Sequence, residues 1–185
     1  QSETVEHMPA RAMFKAKARP SGFEFGACEA CNFGTRGADA AVAFLARIEQ
    51  QGQGVDDWQL QEGVKYLHGA ASIVPGFVEE FFDTRRAEQT HLQTKGGILV
   101  PVFATRVGPI AKALLNTWSA KLGMALYREH IGEPLPLDGG VHCQWFLNAG
   151  LGEQTAHAML SILPAHNTLK QGERKSVTGQ FDYRF

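Results

Sequence analysis

The spacing of apolar side chains along the chain predicts four helices. Apolar positions three or four residues apart fall on one face of a helix. Such stretches begin at Asp39, where the carboxylate would cap the helix, and at Asp56 or Asp57, Pro75 and Pro109. The last stretch carries the longest apolar stripe, and Gly132 and Pro134 end it. We expect this helix to form the core of the second half of the chain.

Shorter stretches predict strands. Residues 98–103 are rich in β-branched and aromatic side chains, and Pro101 favours an edge strand or a bulge because proline donates no ladder hydrogen bond. Residues 23–25 and 141–147 are further candidates. Apolar and polar side chains alternate over residues 177–185, which is typical of a strand with one solvated face.

These elements predict an α+β fold divided into two domains. Residues 50–54 are glutamine and glycine only, which indicates a linker. We therefore predict a small domain at residues 1–50. An α+β domain at 51–185 would contain the long central helix and an antiparallel sheet. The sequence begins with Gln1 rather than Met and ends at Phe185 inside a predicted strand, so we expect pieces of the natural domain to lie beyond it.

Composition narrows the function classes. The 185 residues carry a formal charge of −1, so bulk electrostatics does not favour nucleic acid or anionic lipid, and nucleic-acid binding would depend on a local basic patch. No stretch is long and apolar enough to span a bilayer, and no secretory signal is present. Three cysteines do not form a disulfide framework, which favours a reducing, cytoplasmic location.

Cys28 and Cys31 have the C-x-x-C spacing of a metal clip, and Asn32 follows directly. Two thiolates at this spacing bind one zinc ion, which needs two further ligands for tetrahedral geometry. A pair of small buried residues in a turn is an alternative. A redox pair is another, but it requires a helix that starts at the second cysteine, and Gly34 and Gly37 predict a loop there.

Glu6 and His7 precede the Met8-Pro9 dipeptide. An imidazole removes a proton from water near neutral pH, whereas a carboxylate and an amide oxygen suit Mg²⁺ or Mn²⁺. Two solvated polar residues before a turn are the alternative. The chemical interpretation therefore depends on a hairpin that brings this pair to Asn32.

Together the two motifs resemble the HNH endonucleases, whose motif reads E-H-x-P followed by C-x-x-C-N. The resemblance covers residues 4–48 and implies a ββα-metal, treble-clef-like unit. It implies that His7 is the general base and that Glu6 and Asn32 hold a catalytic divalent ion, Mg²⁺ or Mn²⁺. Cys28 and Cys31 would then supply half of a structural zinc site.

The leading hypothesis is an HNH-like, metal-dependent endonuclease that hydrolyses phosphodiester bonds, in DNA rather than RNA. A catalytically inactive zinc-clip scaffold that acts as a binding or assembly module is one alternative, and nucleic-acid binding without cleavage is another. No motif in residues 51–185 indicates chemistry, and oligomeric state is not predicted. Candidate nucleic-acid contacts are Arg11, Lys15, Lys17, Arg19 and Arg36.

Overall fold

Helices and two-stranded antiparallel sheets alternate along the chain, and the predicted α+β class is confirmed. The computed structural model describes residues 4–14, 23–48, 57–93, 97–145 and 161. None of the helices in this part is both long and apolar enough to cross a membrane. The elements are β1 (Thr4–His7), β2 (Glu24–Ala27), α1 (Glu29–Ile48), α2 (Asp57–Ile73), α3 (Phe77–Phe81), β3 (Ala87–Gln93), β4 (Leu99–Thr105) and α4 (Pro109–Ile131), with short 3₁₀ turns at Arg11–Met13 and Thr84–Arg86.

Strands β1 and β2 form an antiparallel pair that runs directly into α1. The register places Glu6 opposite Phe25 and His7 opposite Glu24. Because successive side chains alternate between the two faces of a strand, Glu6 and Phe25 share one face and His7 lies on the other. The order of these first elements is therefore β-β-α, with the C-x-x-C spacing at the start of the helix.

Helix α1 begins at Glu29, so the prediction of a helix start at Asp39 after a loop was wrong. Cys28 precedes the first turn, and its Sγ accepts a hydrogen bond from the backbone N–H of Cys31 at 3.2 Å. Gly37 lies where α1 approaches α2, since a Cβ there would lie 2.9 Å from Val74 Cγ2. Close packing of this kind outweighs the cost of glycine in a helix, which is about 1 kcal/mol.

The main core lies where α1, α2, α3 and α4 meet. Phe44 of α1 makes edge-to-face contacts with Phe77 and Phe81 of α3, with ring centroids 5.9 and 5.2 Å apart. Buried alanines let the helix backbones approach around these rings. This core joins residues on both sides of the predicted domain boundary, and the division into two domains stays a prediction. The buried alanines are Ala41, Ala70 and Ala111.

The predicted helices in the second half are present, with one correction. Helix α2 begins at Asp57, as predicted, and Gly132 caps the end of α4 with a φ of 87°, the left-handed conformation that glycine adopts freely. Helix α3 is shorter than predicted and begins at Phe77, so Pro75 is not its first residue. Gly76, with a φ of 78°, separates the proline from the helix.

The second sheet contains one predicted strand and one that the sequence did not reveal. Strand β4 carries Pro101 and pairs antiparallel with β3, whose side chains are mostly polar. The predicted strand at 141–147 was wrong for residues 141–145, which are irregular and lie against α4. Trp145 Nε1 donates a hydrogen bond to Asn116 Oδ1 at 3.0 Å. The predicted strand at 177–185 lies outside the described residues.

Candidate functional site

A cavity of about 610 Å³ lies between the β1–β2 pair, the first two turns of α1 and the second half of α4. Side chains from all three elements reach it, so it depends on the tertiary fold rather than on one motif. Apolar groups form much of the wall, with a small number of polar and charged groups. The polar and charged side chains that line it are Glu6, Cys31, Asn32, Thr35, Lys121 and Arg128.

The structure brings Glu6 and Asn32 to this cavity, as the sequence motifs predict. Asn32 lies in the first turn of α1, and its Nδ2 donates a hydrogen bond to Thr4 Oγ1 at 3.1 Å. Thr4 Oγ1 in turn donates to the carbonyl of Ala27 at 3.0 Å. These two bonds fix the amide against the strand that carries Glu6. Asn32 and Glu6 thereby line the same cavity.

His7 is not among the described residues that line this cavity. It follows Glu6 in β1, so its side chain leaves the opposite face of the strand. Its Nδ1 is shielded from solvent. The assignment of His7 as the general base stays a prediction.

The sequence analysis did not identify Lys121 as a site residue, yet its ammonium group contacts two carboxylates, those of Glu6 and Asp39. Its Nζ donates to Asp39 Oδ2 at 2.9 Å and lies 3.4 Å from Glu6 Oε1. The lysine side chain is 10% exposed and those of the two carboxylates 17% and 14%. In the sequence Lys121 lies beside the apolar stripe of α4, where a lysine is ordinarily solvated. No local pattern indicates its partners.

Asp39 lies inside α1 and does not cap a helix, which corrects the predicted role. Burial raises the pKa of the Asp39 carboxyl, and the nearby Glu6 adds to this, while the hydrogen bond and charge of Lys121 oppose it. Its Oδ1 is buried and has no hydrogen-bond partner among the residues that the structure describes. The carboxylate is therefore only partly compensated.

We expect the stability of the wild type relative to Asp39→Asn to fall as the pH rises. Because the folded state raises this pKa, the contribution of Asp39 is fully present below the unfolded value of about 3.9 and is lost as the pH rises through the folded value. Urea unfolding of both proteins in buffers from pH 3 upward would measure the difference. A difference that grows with pH would contradict the assignment.

Cys28 and Cys31 lie at the start of α1, and neither forms a disulfide. The neighbouring Cys28 thiol raises the pKa of Cys31, first through a side-chain hydrogen bond and then through charge. A tetrahedral zinc ion requires four ligands, and this pair offers only two sulfurs. No group of three or more His, Cys, Asp or Glu residues suited to a metal lies among the described residues. Since a helix does begin here, the argument against a redox pair no longer holds.

The predicted nucleic-acid contacts lie outside the cavity wall or outside the described residues. Arg11 is exposed in the turn after β1. Arg36 is exposed on α1, with its guanidinium carbon 5.5 Å from the centroid of the Phe33 ring. Lys15, Lys17 and Arg19 lie outside the described residues. Arg128, which does line the cavity, was not identified from the sequence.

Comparison of the chain with protein-family models, curated proteins and solved structures found no match.

Proposed function

We propose that the protein is an HNH-like, metal-dependent endonuclease that hydrolyses phosphodiester bonds, with DNA as the substrate. The observation that carries the proposal is that Glu6 and Asn32 line one cavity. They come from the two halves of the E-H-x-P and C-x-x-C-N motif, and the first elements follow the β-β-α order that the resemblance implies. Support therefore comes from motif, element order and shared site together.

The side chains at the cavity suit a hard divalent cation. Glu6 and Asn32 offer carboxylate and amide oxygens, the ligands that Mg²⁺ and Mn²⁺ prefer. The partly compensated Asp39 carboxylate is linked to Glu6 through Lys121, which contacts both. When bound, such an ion supplies stabilisation of the negative charge that develops on the phosphate and on the leaving oxygen. Lys121 now forms ion pairs with both carboxylates, so ion binding would require it to move.

The residues of the chain would accept the proton, position the amide and support the start of α1. His7 would accept a proton from the attacking water, which forms the new P–O bond as the bond to the leaving oxygen breaks. Because His7 leaves β1 on the face opposite Glu6, this role would require its side chain to turn toward the cavity. Water would return a proton to that oxygen. The hydrogen bond from Asn32 to Thr4 would hold the amide in position. Cys28 and Cys31 would brace the start of α1 and contribute two ligands to a structural zinc ion.

A plasmid-nicking assay with Mg²⁺ or Mn²⁺ tests the proposal. We expect metal-dependent nicking by the natural full-length protein. Glu6→Gln and Asn32→Ala should each lower the rate at least about 100-fold, which corresponds to about 2.7 kcal/mol of transition-state stabilisation. His7→Ala should lose activity as well. Glu88→Gln removes a carboxylate from an exposed ion pair on β3 and should retain activity.

Two outcomes would contradict this proposal in different ways. Absence of cleavage on every nucleic acid tried would overturn the nuclease assignment. Metal-dependent cleavage that survives His7→Ala would overturn only the identity of the base. Metal analysis of the purified protein separately tests the zinc.

Nucleic-acid binding without cleavage is the second candidate function. Two observations favour it: Lys121 already forms ion pairs with Glu6 and Asp39, and His7 lies on the face of β1 opposite Glu6. A binding protein would retain nucleic acid with or without divalent ions and would not nick it. The inactive zinc-clip scaffold differs from both candidates, since it would not bind nucleic acid.

A further inference from the structure

Arg128 gives the cavity a positive charge that no described carboxylate neutralises. Lys121 and Arg128 lie seven residues apart on α4, and Met124 and Ala125 between them line the same cavity, so all four lie on one helix face. Lys121 is paired with two carboxylates, whereas no carboxylate in the described part of the chain pairs with Arg128. The guanidinium carbon of Arg128 lies 5.7 Å from the centroid of the Phe25 ring.

The remainder of the wall suits a flat, largely apolar group. Phe25 and Met124 line the cavity, together with Pro134 and Leu135 from the segment after α4. Ligand pockets commonly measure about 300–1,000 Å³ and combine apolar walls with a few fixed polar groups. The volume of about 610 Å³ lies in that range. A ligand that pairs an anionic group with an aromatic ring would complement both parts of the wall.

We propose that the cavity holds one nucleotide, with its phosphate on Arg128 and its base against the apolar wall. This inference rests on the proposed function and extends it to the form of the substrate. A base held inside a cavity cannot stay paired and stacked within a duplex, so the preferred substrate is single-stranded DNA. Arginine suits the phosphate because its planar guanidinium donates two parallel hydrogen bonds. The cation–π contact with Phe25 restricts the guanidinium before the ligand arrives.

A structural role for Arg128 makes different predictions. Arg128 lies in the last turn of α4, where a positive charge interacts favourably with the helix C-terminus. If that were its only role, substitution would lower stability and leave nucleic-acid binding and its salt dependence unchanged. The test therefore measures binding and thermal unfolding on the same proteins.

Fluorescence anisotropy of the full chain, with no divalent ion added, measures binding without cleavage. The probes are a labelled single-stranded oligodeoxynucleotide and the duplex of the same sequence. We expect tighter binding of the single strand. Arg128→Gln should weaken that binding about tenfold and reduce the slope of log K against log salt by about 0.7, because one phosphate contact is lost. Arg128→Lys should keep the slope and lose part of the affinity.

Lys112→Gln is the matched control, since Lys112 is an exposed cation of α4 outside the cavity. It should change binding by less than about twofold. In competition experiments, thymidine monophosphate should displace the single strand at a lower concentration than inorganic phosphate, because the base also binds. Equal displacement by the two competitors would reduce the cavity to a simple anion site and overturn the nucleotide assignment.

Equal weakening by Arg128→Gln and Lys112→Gln, or tighter binding of the duplex, would also overturn the inference. The proposed function fails separately, in the nicking assay with divalent ions. Binding through Arg128 without any cleavage leaves the nucleotide site in place and removes the nuclease. Metal-dependent cleavage combined with single-strand binding that is insensitive to Arg128→Gln would support the nuclease and remove the nucleotide site.

Discussion

Replacing Arg47 with alanine should lower the free energy of unfolding by about 3–5 kcal/mol. Arg47 is 7% exposed and lies near the end of α1. Its guanidinium donates to the carbonyls of Ala12, Met13 and Phe14 at 3.0, 2.6 and 2.9 Å. Removing the guanidinium would leave these carbonyls without their charged donor, and buried polar groups are costly when unpaired. Urea or thermal unfolding would measure the loss.

Further contacts of Arg47 add to the expected loss. Arg47 Nε lies 3.4 Å from Glu62 Oε2, and the guanidinium carbon lies 4.7 Å from the centroid of the Tyr66 ring. Truncation would therefore also deprive Glu62 of its counter-charge. Arg47→Lys should recover only part of the loss, because one ammonium group cannot reach three carbonyls in the geometry of the guanidinium fork.

Arg36→Ala is the matched control for Arg47→Ala. Both arginines lie on α1 over an aromatic ring, but Arg36 is exposed and its Phe33 partner is 56% exposed. We expect Arg36→Ala to change stability by about 0.5 kcal/mol or less. If the two variants lost similar stability, burial and the carbonyl contacts would not be the cause.

Replacing Gly108 with alanine should lower the free energy of unfolding by about 2–4 kcal/mol. Gly108 precedes α4, and a Cβ there would overlap Glu80 Cδ and Arg86 Nη1. The Glu80 carboxylate accepts from the backbone N–H groups of Ile110 and Ala111 at 2.9 and 2.8 Å. It thus caps α4 from outside the helix, and the side chain is only 7% exposed. Alanine would displace this cap.

Gly69→Ala provides a control of opposite sign for Gly108→Ala. Gly69 lies inside α2, and a Cβ there would meet nothing within 4 Å. We expect this change to raise stability by about 0.5–1 kcal/mol, because glycine is disfavoured in a helix interior. Equal stability of the two variants in thermal unfolding would contradict the steric role of position 108. Glu80→Gln, which keeps the shape and loses the charge, should show an intermediate loss.

Elements set by local sequence signals were predictable, whereas elements set by contacts between distant parts of the chain were not. The bounds of α4 were predictable because its stripe and Gly132 are local signals. The start of α1 was not, because contact with α2 at Gly37 overrides the local preference of glycine. Strand β3 was missed because its polar sequence lacks alternation, and its pairing with β4 defines it.

The candidate site was likewise only partly predictable from the sequence. The shared cavity of Glu6 and Asn32 was predictable, since the two motifs together required a hairpin that brings Glu6 to Asn32. The opposite orientation of His7 was not predicted, because no apolar pattern indicated that residues 4–7 form a strand, in which neighbours face opposite sides. Lys121 and Arg128 were not predictable, because nothing local in α4 indicates which of its faces closes the cavity.

The pairing of Lys121 with Asp39 makes the site a product of almost the whole described chain. The two residues are 82 positions apart, so the cavity can close only after α4 has docked on α1. Contacts between distant positions form late and slow folding, because chain entropy must be lost first. A graft of residues 4–48 into another scaffold would carry Glu6 and Asn32 but lack their counter-charge and one wall. The motif therefore cannot be transferred as a self-sufficient cassette.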